Sequence, residues 1–236
     1  MEAKIDINCD LGEGIGIDAE LMPYLGSCNI ACGGHFGDKS SMSETIVLAK
    51  KHNVKIGAHP SFPDKENFGR RVIEISNSDL HQSLYQQLSE FKQICEEQNA
   101  KMHHIKLHGA LYNLAACDAE IAALALDVFA QIQPDVKIYV PYNSAIALLA
   151  DDYFPVVYEA FADRSYNADL SLVNRSHENA VITDKKTAFE QVSSILKTNK
   201  VKTIDGQQVT IYAETFCVHG DQPNALEILK YLHQCL

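Results

Sequence analysis

The chain has 236 residues, 46% hydrophobic and 22% charged, which is enough for one domain with a substantial core. Its formal net charge is −11, from 31 acidic and 20 basic residues, and this argues against nucleic acid as the main partner. Seven cysteines without a CxxC pair, an acidic start unlike a signal peptide and no long apolar stretch predict a cytoplasmic protein with reduced thiols and no membrane partner.

The first predicted element is a strand with one polar face. Residues 4–10 alternate strictly between apolar and polar types, so Asp6, Asn8 and Asp10 share one face. The glycine-rich loop at 12–16 follows the strand. It could cradle a phosphate, but it matches neither the dinucleotide fingerprint nor the P-loop, so this signal is weak.

Strands and helices alternate along the rest of the chain. The predicted strands are one that ends near residue 35, then 54–58, 102–108, 136–140, 156–161 and 209–218. The predicted helices are 40–51, 79–98, 118–132, 144–149, 184–196 and 223–232, and a short hairpin arm is expected at 170–182. This alternation predicts a parallel sheet with helices outside, in a single domain over 1–236.

Polar residues follow six of the seven predicted strands, and this spread decides how the sheet closes. An open doubly wound sheet concentrates its chemistry at one switch point. A barrel places it at the carboxyl ends of many strands. We therefore predict an irregular seven-stranded (β/α) barrel.

Four of these strands end in a histidine beside glycine or proline: His35, His59, His108 and His219. A lone histidine after a strand is usually structural, but four at equivalent strand ends indicate one site. Together with an aspartate they could hold a divalent metal, which stays a hypothesis at this stage. His104 and His108 have HxxxH spacing but lie about 13 Å apart on a strand, so they cannot share an ion.

Three further groups face the same predicted mouth. Asp10 and Glu13 are either turn and loop charges or a general base and metal ligand. A carboxylate inside a barrel must be bonded, paired or metal-bound, and this favours a role for Asp10. Lys106 is expected either to form an ion pair with Glu159 or Asp10, or to stabilise a phosphate or developing oxyanion.

Three arginines lie in loops that follow strands, at Arg70, Arg71 and Arg164. Surface arginines usually contribute little, yet arginine binds carboxylates and phosphates through two hydrogen bonds. Arg164, beside Asp163 and after the sixth strand, is the preferred anion clamp. Tyr112 and Tyr166 are expected either to line the pocket or to pack in the core.

Eight sequence blocks, taken together and in order, resemble the LamB/YcsF family. They are NCDLGE at 8–13, NIACGGHFGD at 29–38, GAHP at 57–60, FGRR at 68–71, KLHGALYN at 106–113, EAFADRSY at 159–166, LVNR at 172–175 and CVHGD at 217–221. Cys9 and Leu107 depart from the usual small residue and proline of the family, which affects local shape more than reactive groups.

The resemblance implies a barrel like that of the glycoside hydrolases and deacetylases. It also implies one component of a complex that, with two partner proteins called the B and C subunits, cleaves 5-oxoproline to glutamate with ATP and Mg²⁺ as co-substrate. The catalytic residues are then expected among Asp10, Glu13, His35, His59, Lys106, His108, Glu159, Asp163 and His219. Substrate or phosphate is expected to contact Arg70, Arg71, Tyr112, Arg164 and Asp221.

Two other functions are compatible with the same residues. One is a stand-alone, metal-dependent deacetylase of an N-acetylated sugar. Bound metal and inhibition by chelators would favour this function. The other is a non-catalytic binding subunit whose partner carries out the chemistry. Ligand binding without turnover would favour this function.

Overall fold

Seven parallel strands close into a barrel in the computed structural model, which describes residues 5–150 and 153–236. Around the barrel the strands run in the order β1-β2-β3-β4-β5-β6-β9, while β7 and β8 form a separate antiparallel pair. The strands are β1 Asp6–Leu11, β2 Ser27–Ala31, β3 Lys55–His59, β4 Met102–Ile105, β5 Lys137–Pro141, β6 Val156–Phe161, β7 Lys200–Lys202, β8 Gln208–Thr210 and β9 Thr215–Cys217. The predicted seven-stranded α/β barrel is therefore confirmed.

The helices surround the barrel and bury their apolar faces against it. They are α1 Asp18–Leu21, α2 Lys39–His52, α3 Asn77–Glu97, α4 Gly109–Cys117, α5 Ala119–Ile132, α6 Ala145–Ala150, α7 Lys185–Thr198 and α8 Ala225–Cys235, with a 3-10 turn at Met22–Tyr24. Within 5–150 and 153–236, no helix combines the length and apolar character that crossing a membrane requires.

Helix ends follow local capping chemistry that the sequence makes visible. The Asp38 side chain accepts a 2.9 Å hydrogen bond from the Ser41 amide and starts α2. Asn53, in the left-handed conformation at φ 56°, ends the same helix. Ser76 accepts from the Asp79 amide at 3.1 Å and starts α3.

Several elements differ from the sequence-based expectation, among them α1 and β7, which were not predicted. The predicted strand 209–218 is divided, because β8 pairs with β7 outside the barrel and only the three residues of β9 join it. The predicted arm contains isolated bridges, such as Tyr166 with Leu172, instead of a regular hairpin. Helix α4 was not predicted, because its start follows directly on the expected strand. Lys4, the first residue of the first predicted strand, lies outside the described residues.

A hydrogen-bonded polar network fills the lower part of the barrel. Asn8 Nδ2 donates to Glu159 Oε1 at 2.8 Å and to the Thr215 hydroxyl at 2.9 Å. Asn29 Nδ2 donates to Asn8 Oδ1 at 2.8 Å, and the His104 ring bonds Asn29 Oδ1 at 2.7 Å. All of these groups are buried, so each polar atom needs such a partner.

Gly57 of β3 makes room for this network. A Cβ atom at this position would lie 2.1 Å from Nε2 of His104, a distance that no packed pair of atoms tolerates. The His104 ring instead passes over the bare backbone and stacks on Tyr139 at a centroid distance of 3.8 Å. Only glycine at 57 therefore allows the ring to reach Asn29.

Asp6 closes the bottom of the barrel. Its Oδ2 accepts hydrogen bonds from Ser27 at 2.6 Å and Thr215 at 2.7 Å, and its Oδ1 accepts from Lys55 at 3.0 Å. Burial alone would raise the pKa of Asp6, but these three donors lower it below its usual 3.8.

This lowered pKa predicts a pH-dependent contribution to stability. Because the folded pKa of Asp6 lies below the unfolded value, the contribution is present above about pH 4 and is lost as the pH falls further. We expect Asp6→Asn to cost about 1–2 kcal/mol at pH 7, and this difference should shrink as the pH is lowered below about 4. Urea denaturation across this range measures it. Asp135→Asn on the surface is the control, and a cost that does not change with pH would contradict the assignment.

Candidate active site at the open end of the barrel

A cavity of about 630 Å³ lies at the carboxyl ends of the barrel strands. The predicted site residues that line it are Asp10, Glu13, His59, Arg70, Lys106, His108, Tyr112, Glu159, Arg164, His219 and Asp221. His35 and Asp163 lie just behind this wall and contact it through hydrogen bonds. Arg71 is exposed and does not line the cavity, so a binding role for it has no support in the structure.

Lys106 is the buried cation at the floor of the cavity. Its Nζ lies 3.0 Å from Asp10 Oδ1 and 3.0 Å from Glu159 Oε1. It also donates to Cys217 Sγ at 3.1 Å. Both predicted ion-pair partners are therefore used at once. Lys106 follows β4, where its amide still continues the ladder to Ala58.

The charges on this floor stabilise one another. Burial lowers the pKa of the Lys106 ammonium, but Asp10, Cys217 and Glu159 together raise it well above its usual value. Burial likewise raises the pKa of Asp10, which His59 and Lys106 then hold well below its usual value. Lys106 is thus a fixed positive charge and Asp10 a fixed negative one, and neither changes its protonation near neutral pH.

Three histidine rings pack together beside this ion pair. The rings of His35 and His108 stack at a centroid distance of 3.6 Å, and His59 meets His108 edge-on at 4.8 Å. His59 Nε2 lies 2.9 Å from His108 Nδ1 and 3.3 Å from Asp10 Oδ2. Strands β2, β3 and β4 are neighbours in the barrel, and this brings the segments that carry the three rings together.

Glu13 joins the histidine cluster from the loop after β1. Its Oε1 lies 2.9 Å from His35 Nε2 and 3.5 Å from His108 Nδ1. Burial, helped by the nearby Asp10, raises the pKa of Glu13 to about 7. Burial also lowers the pKa of His35 to about 2, so this ring is neutral. The alternative that Glu13 is a solvated loop charge is therefore wrong, because its side chain is only 4% exposed.

Asp163 and His219 form a separate pair on another part of the wall. Asp163 Oδ1 lies 2.9 Å from His219 Nδ1, and Asp163 Oδ2 accepts from the His219 amide at 2.8 Å. A carboxylate only accepts hydrogen bonds, so Nδ1 donates to it and the ring is held in one orientation. In the neutral form of the ring, Nε2 of His219 then carries a lone pair. His219 lines the cavity, which makes this nitrogen a candidate general base.

The rim of the cavity carries two arginines around one carboxylate. Asp221 Oδ2 accepts from Arg70 and lies 3.6 Å from Nη1 of Arg175. Two guanidinium groups against one carboxylate leave a net positive charge where a ligand would enter. Sequence reasoning does not identify Arg175 as a site residue, because its position depends on the fold of the 170–182 arm.

Arg164, the predicted anion clamp, lines the cavity, but two of its donor nitrogens are used within the chain. Its Nη2 donates to the Val173 carbonyl at 2.6 Å, and its Nε donates to the Ala180 carbonyl at 3.3 Å. It is buried, and this burial, with Arg175 nearby, lowers its pKa to about 10. Arg164 therefore pins the arm over the barrel mouth, while Arg70 and Arg175 present the more accessible cationic groups.

Two buried polar atoms in the cavity wall have no hydrogen-bond partner among the described residues: the Tyr112 hydroxyl and Glu159 Oε2. Burial and the adjacent Glu159 raise the pKa of Tyr112 well above its usual value, so the hydroxyl remains a donor. Buried polar atoms without partners, in residues that line a cavity, are suited to contact a ligand. Tyr166 also lines the cavity, but its hydroxyl already accepts from the Phe161 amide at 2.7 Å.

The glycine-rich loop at 12–16 is not built as a phosphate cradle. The Gly12 amide donates to Asp18 Oδ2 at 2.8 Å, so a carboxylate already occupies the anion position. An arriving phosphate would have to displace this negative charge. The weak phosphate signal in the sequence therefore gains no support from the structure.

The sequence analysis also did not identify several buried groups that hold the site side chains in position. Asn29 fixes Asp10 through a 2.8 Å hydrogen bond to Oδ1, and Ser61 contacts His35 Nδ1 at 3.0 Å. The Phe68 carbonyl contacts His108 Nε2 at 2.9 Å. Asn29 is a polar residue in the middle of an apolar strand and could have been found from that pattern. The other two depend on the irregular loop after β3.

Comparison with known proteins adds to this geometry. A model described as the LamB/YcsF family matches residues 5–236. The chain is 40% identical to the A subunit of 5-oxoprolinase from Bacillus cytotoxicus, covering 98% of this chain and 94% of that protein. It is also 40% identical to the protein of the same name from Staphylococcus aureus, covering 99% and 96%. The crystal structure of a lactam utilization protein from Thermus thermophilus superimposes with a TM-score of 0.91 at 33% identity, covering 98% of this chain and 95% of that one.

Proposed function

The chain belongs to the LamB/YcsF family, and on this premise we propose that it is the A subunit of an ATP-dependent 5-oxoprolinase. The reaction opens the five-membered lactam of 5-oxo-L-proline to L-glutamate and is coupled to ATP hydrolysis. The similarity to proteins that carry the 5-oxoprolinase name covers nearly the whole chain, which supports a shared role. The name of the Thermus neighbour points to the same class of substrate.

One observation carries the proposal beyond the names. A buried carboxylate orients His219 so that its free ring nitrogen serves the cavity, which is the arrangement of a general base for water. The Asp163 side chain is fully buried and also accepts from Gln222 at 3.2 Å, so its position is fixed. Hydrolysis of an activated amide needs such a base beside the reacting carbonyl.

The remaining wall groups fit the functional groups of the substrate. Arg70 and Arg175 at the rim suit the carboxylate of 5-oxoproline or a phosphoryl group, which arginine binds through two hydrogen bonds. The unpartnered Glu159 Oε2 suits the lactam N–H, and the Tyr112 hydroxyl suits a carbonyl oxygen. Lys106 holds the other oxygen of Glu159 in place at 3.0 Å.

Coupling to ATP follows from the chemistry of the ring. The amine and carboxyl groups of the product lie in one molecule, so their recondensation has a very high effective molarity and the lactam resists opening. Phosphorylation of the amide oxygen makes ring opening thermodynamically favourable and provides a leaving group. We assign ATP binding to the assembled complex with the B and C subunits, since the loop at 12–16 already holds Asp18.

The proposal predicts that the isolated chain does not turn over 5-oxoproline. A phosphorylated lactam must be shielded from bulk water, and the cavity opens between rim groups such as Arg70, which is exposed. We expect no glutamate release when the pure chain is mixed with ATP, Mg²⁺ and 5-oxoproline, and release with coupled ATP hydrolysis once the B and C subunits are added.

Two results would contradict this assignment. Robust glutamate release by the chain alone would show that no partner is required. Acetate release from an N-acetylated sugar by the chain alone, without activity on 5-oxoproline in any mixture, would instead favour the deacetylase function. A heat-denatured sample of the chain in the complete mixture is the matched control.

A further inference from the structure

The hydrogen positions of two cavity histidines are fixed by their outer hydrogen bonds. His59 Nδ1 lies 2.8 Å from the Lys106 carbonyl, and His108 Nε2 lies 2.9 Å from the Phe68 carbonyl. A carbonyl oxygen only accepts, so each of these ring nitrogens must carry the hydrogen. In the neutral form of either ring, the other nitrogen then has a lone pair and no hydrogen.

His35 follows the same rule through a hydroxyl. Its Nδ1 lies 3.0 Å from Ser61 Oγ, and that hydroxyl donates its own hydrogen to the Phe62 carbonyl at 2.9 Å. Ser61 therefore accepts from His35 Nδ1, and His35 Nε2 is left with a lone pair. All three rings have their second nitrogen fixed by the protein, which is the usual support of metal-binding histidines.

The lone pairs of His59 and His108 face each other and two carboxylates. His59 Nε2 lies 2.9 Å from His108 Nδ1 and 3.3 Å from Asp10 Oδ2. Glu13 Oε1 lies 3.5 Å from His108 Nδ1. No hydrogen is available between His59 and His108 while both rings are neutral. A positive species is needed to hold these atoms so close together.

The charged side chains around His59 and His108 also favour a bound cation. Asp10, Glu13 and Glu159 are three carboxylates, and within the described chain Lys106 is the one lysine that pairs with any of them. The cluster thus brings three acidic side chains together with one lysine. These side chains are buried, and buried charge without compensation is costly. One divalent cation would balance it.

We propose that this cluster is a binding site for one divalent transition-metal ion of the Zn²⁺ type. Its ligands are His59 Nε2, His108 Nδ1 and Asp10 Oδ2, with Glu13 Oε1 beside them. Ligands about 2.0–2.1 Å from a tetrahedral ion are about 3.3 Å apart, and the observed separations of 2.9, 3.3 and 3.5 Å bracket that value. Lys106 binds the other oxygen of Asp10, so Oδ2 is left for the ion.

The donor set also selects among ions. Imidazole nitrogens suit Zn²⁺ and its neighbours, whereas Mg²⁺ prefers oxygen ligands in an octahedron. A bound ion would supply positive charge at the wall of the cavity. The site does not depend on the proposed function, because binding is measured on the chain alone without substrate.

The test measures metal content in chelator-treated, full-length chain. Cys117→Ser and Cys235→Ser form the background, because these two thiols are exposed and would bind zinc adventitiously. After dialysis against Zn²⁺ and then buffer, we expect about one ion retained per chain by elemental analysis, and no retained Mg²⁺. Asp10→Asn and His108→Gln should each lose the zinc, while the control His81→Gln, in α3 and bonded to Asp127 of α5, should keep it.

A second measurement needs no variant that could fail to fold. Co²⁺ added to the same background should show visible bands of nitrogen and oxygen ligation without a thiolate charge-transfer band. It should also raise the melting temperature. Retention of less than about half an equivalent of Zn²⁺, equal retention in His108→Gln, or a thiolate band would overturn the proposal, and the gap between the rings would then hold a proton.

Discussion

Replacement of Lys106 with methionine is expected to lower the free energy of unfolding by about 3–5 kcal/mol at pH 7. The ammonium lies 3.0 Å from both Asp10 and Glu159, and its side chain is 2% exposed. Methionine has a similar volume but no charge, so two buried carboxylates lose their common partner. Urea denaturation followed by circular dichroism measures the change.

Two further variants show that this loss comes from uncompensated charge. Adding Glu159→Gln to Lys106→Met should recover part of the stability, since one buried negative charge is then removed. The surface pair of Lys185 with Glu227, at 3.3 Å, is the matched control, and Lys185→Met should change the stability by no more than about 1 kcal/mol. A cost for Lys106→Met no greater than that of the control would contradict the buried network.

Much of the architecture could be predicted because it depends on local patterns. The alternation in residues 5–10 identifies the polar inner face of β1, and the structure places Asp6, Asn8 and Asp10 inside the barrel. Polar residues at many strand ends distinguish a barrel from an open sheet, and the seven strands close as that spread predicts. The caps at Asp38 and Ser76 are likewise visible in the sequence.

The rest depends on contacts between residues far apart in the chain. Strand β9 has only three residues, so its pattern cannot separate it from the nearby strand β8. Arg164 resembles an anion ligand in sequence, and only the folded arm reveals that its Nε and Nη2 donate to the carbonyls of Ala180 and Val173. The environment of Glu13 depends on the packing of residues from three separate strand ends.

The Asp163→Asn variant is expected to lower kcat for glutamate release in the reconstituted complex by about 10²–10⁴-fold, with little change in KM. Asp163 is a positioning residue, since it acts through His219. An asparagine amide would face His219 Nδ1 at the 2.9 Å position and donate to it. The ring hydrogen would then move to Nε2, so the nitrogen on the cavity side could no longer accept a proton from water.

The expected loss of kcat arises because Asp163 and His219 act as a pair. A double variant can therefore distinguish this loss from a structural effect. The double variant Asp163→Asn with His219→Ala should be no slower than His219→Ala alone, because the two residues act as a unit. Gln222→Met removes the other side-chain donor to Asp163, at 3.2 Å, without changing the tautomer of His219, so it should retain most of the activity. Melting temperatures of all variants identify any that are misfolded. Additive losses in the double variant, or an Asp163→Asn enzyme as fast as the original, would place the base elsewhere in the cavity.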